Sequence, residues 1–169
     1  MVTVNGVSKA FAMTGWRVGY LGAPLAIAKA CDKIQGQVTS ATCSIGQKAT
    51  EKAVSLDPSI TFSMRDTFKK RRDTVLKIMK EIPGMKANVP DGAFYVFPDV
   101  SYYFGKSCNG TIINNATDLC FFLLDNARVA LVPGAAFGDD NHIRFSYAAA
   151  EELLVKALER MKESLALLK

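Results

Sequence analysis

Histidine is almost missing from this chain: His142 is the only one in 169 residues. The four cysteines, Cys31, Cys43, Cys108 and Cys120, form no C-x-x-C pair. Those scarcities argue against a zinc site and against a disulfide framework, and they fit a reducing cytosol. No apolar run reaches the roughly 18 residues that a membrane-spanning helix needs. The N-terminus shows no basic stretch followed by an apolar one, so no signal peptide is expected. Positive charge is not concentrated either. The formal net charge is +5, and its one dense cluster, Lys69 to Arg72, runs straight into Asp73 within a helical pattern. A solvated helix face explains that cluster better than a phosphate-backbone patch does. No metal, nucleic-acid or membrane partner is expected. Gly15, Gly19 and Gly22 have the wrong spacing for a dinucleotide fingerprint.

What is present is a core. Hydrophobic residues make up 49% and charged ones 22%, and a chain of this size can bury roughly 70% of its unfolded surface. The pattern predicts strands over 1–7 and 17–21, then helices over 25–34 and 45–56 with a small polar join at 35–44. Asp57-Pro58 stops the second helix. A long amphipathic helix is predicted over 59–82, with Phe68, Val75, Met79 and Ile82 on one stripe, ended by Pro83-Gly84. A strand follows at 93–97, a loop at 101–114 and a helix at 116–126 with Leu119, Phe122 and Leu123 inward. Strands are expected at 129–132 and 142–147. The second of these has Ile143, Phe145 and Tyr147 on one face and Arg144 and Ser146 on the other. A last helix from about residue 151 carries Leu154, Leu158, Met161, Leu165 and Leu168 as its core stripe. Asn109-Gly110-Thr111 and Asn115-Ala116-Thr117 match the glycosylation pattern, which has no meaning in a cytosolic protein.

The chemistry sits in Ser8-Lys9-Ala10-Phe11-Ala12-Met13-Thr14-Gly15-Trp16-Arg17-Val18-Gly19-Tyr20. Lys9 falls just after a strand and Arg17 begins the next. A desolvated lysine is a nucleophile suited to a carbonyl, and an arginine presents a planar fork to a phosphate. Two surface cations at strand ends would look the same from spacing alone.

This stretch resembles the cofactor-lysine motif of class I aminotransferases that use pyridoxal phosphate (PLP), in the branch of aspartate and aspartate/prephenate aminotransferases. The match runs from Asn5 to Tyr20. It implies that Lys9 bonds the cofactor and then serves as the base between substrate and cofactor, and that Arg17 clamps the cofactor phosphate. Many members have a phosphate-binding serine three residues before the lysine, where this chain has Gly6. A second match, Asn141-His142-Ile143-Arg144-Phe145-Ser146-Tyr147, resembles the strand that carries the substrate-carboxylate arginine, so Arg144 takes that role by resemblance and His142 is only its neighbour. Pro133 to Gly138 and Asp91 to Tyr95 resemble further small-domain segments.

The resemblance implies an α/β chain with part of the PLP-transferase type I fold. Residues 1–58 would be a remnant of the large cofactor domain, 59–82 a connecting helix and 83–169 the small α+β C-terminal domain. No segment resembles the family's aspartate for the pyridine nitrogen or its other N-terminal cofactor contacts, so the chain reads as a fragment whose activity belongs to a longer cytoplasmic, homodimeric parent. The substrates would be an amino acid, aspartate first, and a 2-oxo acid. A different class is also open: the non-catalytic, aminotransferase-like ligand-sensing half of a transcription regulator.

Overall fold

The computed structural model describes all of Met1–Lys169. Two compact units divide the chain, Met1–Met64 and Arg65–Lys169.

In the first unit, β1 (Thr3–Gly6) and β2 (Gly19–Gly22) form an antiparallel ribbon in which Asn5 faces Tyr20 and Gly6 faces Gly19. Val7 and Val18, just beyond the paired residues, are buried. They anchor both ends of the loop that joins the strands. Arg17 and Val18, expected in the second strand, lie outside it, because Arg17 ends a short 3₁₀ turn over Thr14–Trp16. Helix α1 (Leu25–Val38) follows Pro24 and runs four residues past its predicted end, taking in Gln35 to Val38. The polar composition of that stretch resembles a loop, yet glutamine is a good helix former and the turn hydrogen bond from the Thr39 amide to the Gln35 carbonyl closes the end. Helix α2 (Ser44–Val54) buries Gly46, Thr50 and Ala53. By contrast α1 buries none of its residues, and Leu25, Ile34 and Val38 stand exposed.

Helix α3 (Phe62–Met79) starts after a 3₁₀ turn at Pro58–Thr61, capped by Asp57, whose carboxylate accepts from the Ser59 amide at 2.9 Å. The predicted 59–82 helix is therefore shorter at both ends. Its stripe still holds: Val75, Met79 and Ile82 are buried and Phe68 half-buried.

The second unit is built on a three-stranded antiparallel sheet in the order β3 (Tyr95–Val96), β7 (Ile143–Ser146), β6 (Val132–Pro133). The outer strands are shorter than predicted, with only two residues each in the ladder. Residues 101–114 are not a plain loop. They hold a 3₁₀ turn over Ser101–Tyr103 and a tight hairpin of β4 (Ser107–Cys108) and β5 (Thr111–Ile112). Asn109 and Gly110 make its turn, both with positive φ, +50° and +83°. An Asn-Gly pair is the strongest short hairpin signal in a sequence, although the flanking residues here show no apolar alternation. Asn115 likewise proves to be a helix cap: its side chain accepts from the Asp118 amide at 2.9 Å, and Asp118 accepts from the Asn114 amide at 2.9 Å.

Helix α4 (Ala116–Ala127) faces inward with Leu119, Phe122 and Leu123, as expected, and adds Cys120. Helix α5 (Glu151–Leu165) packs on α4 and brings Leu154, Leu158, Met161 and Leu165 into one core with Ile143, Phe145 and Tyr147. Ion pairs Lys70–Glu151 and Lys162–Glu81, both 2.8 Å, tie α5 to the α3 side. They are exposed and contribute little beside the apolar stripe.

The burial contrast along the last helical stretch sets a stability test. Leu158 is fully buried and Leu167 about half exposed, at 53%. Leu158→Ala should cost about 2–5 kcal/mol in denaturant unfolding, whereas Leu167→Ala should stay within about 0.5 kcal/mol. The thiols set another. Cys43 is exposed, and the backbone amides of Gly46 and then Ile45 hold its pKa below the usual thiol value. Burial pushes Cys120 up to about 11. Limited alkylation with iodoacetamide at neutral pH should therefore label Cys43 well before Cys120, read by peptide mass mapping.

Candidate active site

The ribbon loop places two of the three sequence-derived residues. Lys9 lies in the turn that leaves β1, and Arg17 in the segment that enters β2. Both are exposed, at the two ends of one loop whose roots are Val7 and Val18. Inside the loop the Phe11 amide donates to the Val7 carbonyl and the Ala12 amide to the Lys9 carbonyl, each at 3.3 Å. Arg17 closes the next turn, where its Nη1 donates to the Thr14 carbonyl at 2.9 Å. That bond fixes the guanidinium and uses one of its five donors. No carboxylate lies in ion-pair range of Arg17.

The loop carries backbone strain. Ala12 and Arg17 both sit in the left-handed region, at φ of +52° and +55°. A non-glycine residue there costs on the order of 1–3 kcal/mol and persists where surrounding structure over-determines it. Here α2 supplies part of that constraint: a Cβ on Gly46 would stand 3.1 Å from a Val18 methyl and 3.6 Å from the Trp16 carbonyl. Position 6 is also crowded, since a Cβ on Gly6 would meet the Val18 carbonyl at 3.3 Å. A cleft of about 350 Å³ lies alongside, lined by Val18, Tyr20, Asp32, Gln35, Thr42, Gln47 and others, and includes neither Lys9 nor Arg17.

Arg144 stands in the second unit, on the central strand of the sheet. Ile143 and Phe145 are buried, and Arg144 projects from the opposite face, half-buried. Its guanidinium carbon lies over the Tyr95 ring, 4.5 Å from the centroid, and over the Phe137 ring at 4.6 Å. No carboxylate of the protein is in ion-pair range of it. A half-buried arginine that is solvated by rings and left without an anion is suited to receive one from a ligand. Tyr95 and Phe137 were not assigned a role from sequence. Each lay in a segment noted for its resemblance, but the pairing Val132↔Arg144 and Tyr95↔Ser146 that draws them to Arg144 is a cross-strand relation. One sequence does not print such a relation.

His142, beside Arg144 in the sequence, is held by two neighbours. Its ring stacks on Phe97 at 4.8 Å, 13° from parallel, and its Nδ1 is 2.9 Å from the Asp139 carboxylate.

The site residues fit PLP by the chemistry of the donor set: an amine for an aldehyde and a guanidinium for a phosphate, carried on one strained, anchored loop. The model of aminotransferase class I and II matches residues 1–161. A bifunctional aspartate aminotransferase and glutamate/aspartate-prephenate aminotransferase of Petunia hybrida is 50% identical over 99% of this chain and 36% of its own length. An aspartate aminotransferase of Rhizobium meliloti (strain 1021) is 44% identical over 95% of the chain and 39% of its own. The crystal structure of the aspartate aminotransferase from Rhizobium meliloti superposes with a TM-score of 0.95 at 43% identity, covering 99% of this chain and 42% of that one. This chain thus spans about two fifths of the proteins it matches, and its α/β architecture is part of the PLP-transferase fold those structures share. With the match extending over nearly its whole length, the chain belongs to the aminotransferase class I and II family.

Proposed function

We propose that this chain supplies the cofactor lysine and the substrate arginine of an enzyme that transfers an amino group between an amino acid and a 2-oxo acid. The observation that carries the reading is the Lys9–Arg17 loop: strained at two positions, anchored at both roots, and holding an amine and an ion-pair-free guanidinium. PLP, when bound, supplies the electron sink for the pair left at the substrate Cα.

Within that reading each residue has one task. Arg17 holds the cofactor phosphate with the donors that Thr14 leaves over. Lys9 would hold the cofactor through its Nζ, and the same Nζ would take the proton from the substrate Cα. Arg144 grips the α-carboxylate in a bidentate pair and so sets the direction of the Cα–H bond, which is an orientation gain rather than a chemical one.

Aspartate is the first-choice substrate because the relatives are named for it, with prephenate second. Residues 36–62 contain no arginine, which weighs against a partner-subunit arginine for a side-chain carboxylate in this segment. The proposal takes 1–58 as part of the cofactor domain, 59–82 as the connection and 83–169 as the small domain. In this reading the active enzyme is a homodimer of the cytoplasm. No helix here is long and apolar enough to cross a membrane. The named relatives are enzymes, which favours transamination over ligand sensing.

The test is intact mass after mixing the chain with PLP and reducing with borohydride, then peptide mapping. One adduct at Lys9, lost in Lys9→Ala, is the expected result. Adducts spread evenly over the lysines would remove the assignment. The chain by itself should show no aspartate transamination, because the group that faces the pyridine nitrogen is not among its motifs; turnover by the purified 169-residue chain would contradict this.

A further inference from the structure

We propose that Tyr95 and Phe137 are positioning residues for Arg144, holding its guanidinium by their ring faces so that its N–H edges stay open to a substrate carboxylate. The inference rests on the reading that Arg144 binds that carboxylate, and adds what makes it able to.

A half-buried guanidinium needs compensation. Proteins commonly provide a carboxylate, but an internal carboxylate would occupy the same fork that the substrate must enter. This chain provides two rings instead, at 4.5 and 4.6 Å from the guanidinium carbon. A ring attracts the cation through its negative face and takes none of its donors.

The rings reach Arg144 from different places. Tyr95 comes from β3, where it pairs with Ser146, two residues along β7 from Arg144, and its ring also packs on Phe94 at 4.4 Å. Phe137 comes from the 3₁₀ turn after β6, Gly134–Phe137. That turn is itself braced. Phe97 meets Phe137 edge-on at 6.0 Å and stacks on His142 at 4.8 Å. Gly134 allows the turn to close, since a Cβ there would stand 2.1 Å from the Asp139 carbonyl oxygen and 2.5 Å from that of His142. Phe137 is nevertheless 48% exposed. Core packing alone does not account for a large apolar ring kept half in water on a braced turn; service to the cation does.

The exposure also makes the test clean, because trimming Phe137 removes little core. Arg144 would be followed through its side-chain Nε–Hε signal in the ¹⁵N-labelled chain, assigned by its loss in Arg144→Lys, during titration with succinate. Wild type should show a saturable shift. Phe137→Leu and Tyr95→Leu should each weaken succinate by about threefold or more, with the ring-current shift of the free Arg144 signal reduced and the melting temperature little changed for Phe137→Leu. Phe137→Tyr, which restores a ring, should return the affinity to within about twofold of wild type. If both leucine variants bind as wild type does, the positioning role is wrong while the carboxylate site stands. If Phe137→Tyr is as weak as Phe137→Leu, packing rather than the ring face is responsible and the proposal also fails. If the wild-type Arg144 signal does not move with succinate, the carboxylate reading itself falls and takes this one with it.

Discussion

Ile143 and Phe145 enter the core from one face of β7, and their burial against the α5 stripe of Leu154, Leu158 and Met161 leaves the strand one register. A slip of a single residue would send Arg144 into the apolar core and turn Phe145 out to water. Much of the second unit hangs on that alternation. It fixes which residues of β3 and β6 face β7, hence which rings meet Arg144, and it sets where the turn after β6 must return. The sheet is short, with two-residue outer strands, so its register is not held by many ladder bonds. The helices α4 and α5 hold it through the side chains they bury.

The first unit works by a different constraint. Its ribbon and α1 bury little, and its only fixed points near the chemistry are Val7, Val18 and the Gly46 face of α2. Between those points the loop adopts left-handed backbone at Ala12 and Arg17. Core packing therefore organises Arg144, and a strained loop organises Lys9 and Arg17. The two halves of the proposed chemistry have different sources of order.

The α5 stripe, the inward face of α4 and the in–out alternation of β7 were legible because each repeats with the period of its element. The roles proposed for Lys9, Arg17 and Arg144 rest on resemblance, since two cations at strand ends carry no period. The ends of elements were misread where local chemistry overrode pattern. Gln35 to Val38 look like a loop by polarity and continue α1. Residues 59–61 look helical and form a 3₁₀ turn after the Asp57 cap. The hairpin at Asn109-Gly110 was announced by its turn residues and missed because the segment has no apolar alternation. Tyr95 and Phe137 lay beyond reach for another reason: their meeting with Arg144 is made by strand pairing and a turn, not by nearness in sequence.

The left-handed backbone at Arg17 has a consequence for how such a chain drifts. Glycine or asparagine would occupy that position with less strain, so folding and the proposed phosphate contact pull the residue in opposite directions. While selection maintains the contact, arginine stays and the loop bears the cost. In a duplicated copy released from that demand, glycine or asparagine at position 17 would relieve the strain and be favoured by the fold. Position 17 therefore records whether the site is still in use, whereas Ile143 and Phe145, which any folded copy must keep, record only that the protein still folds.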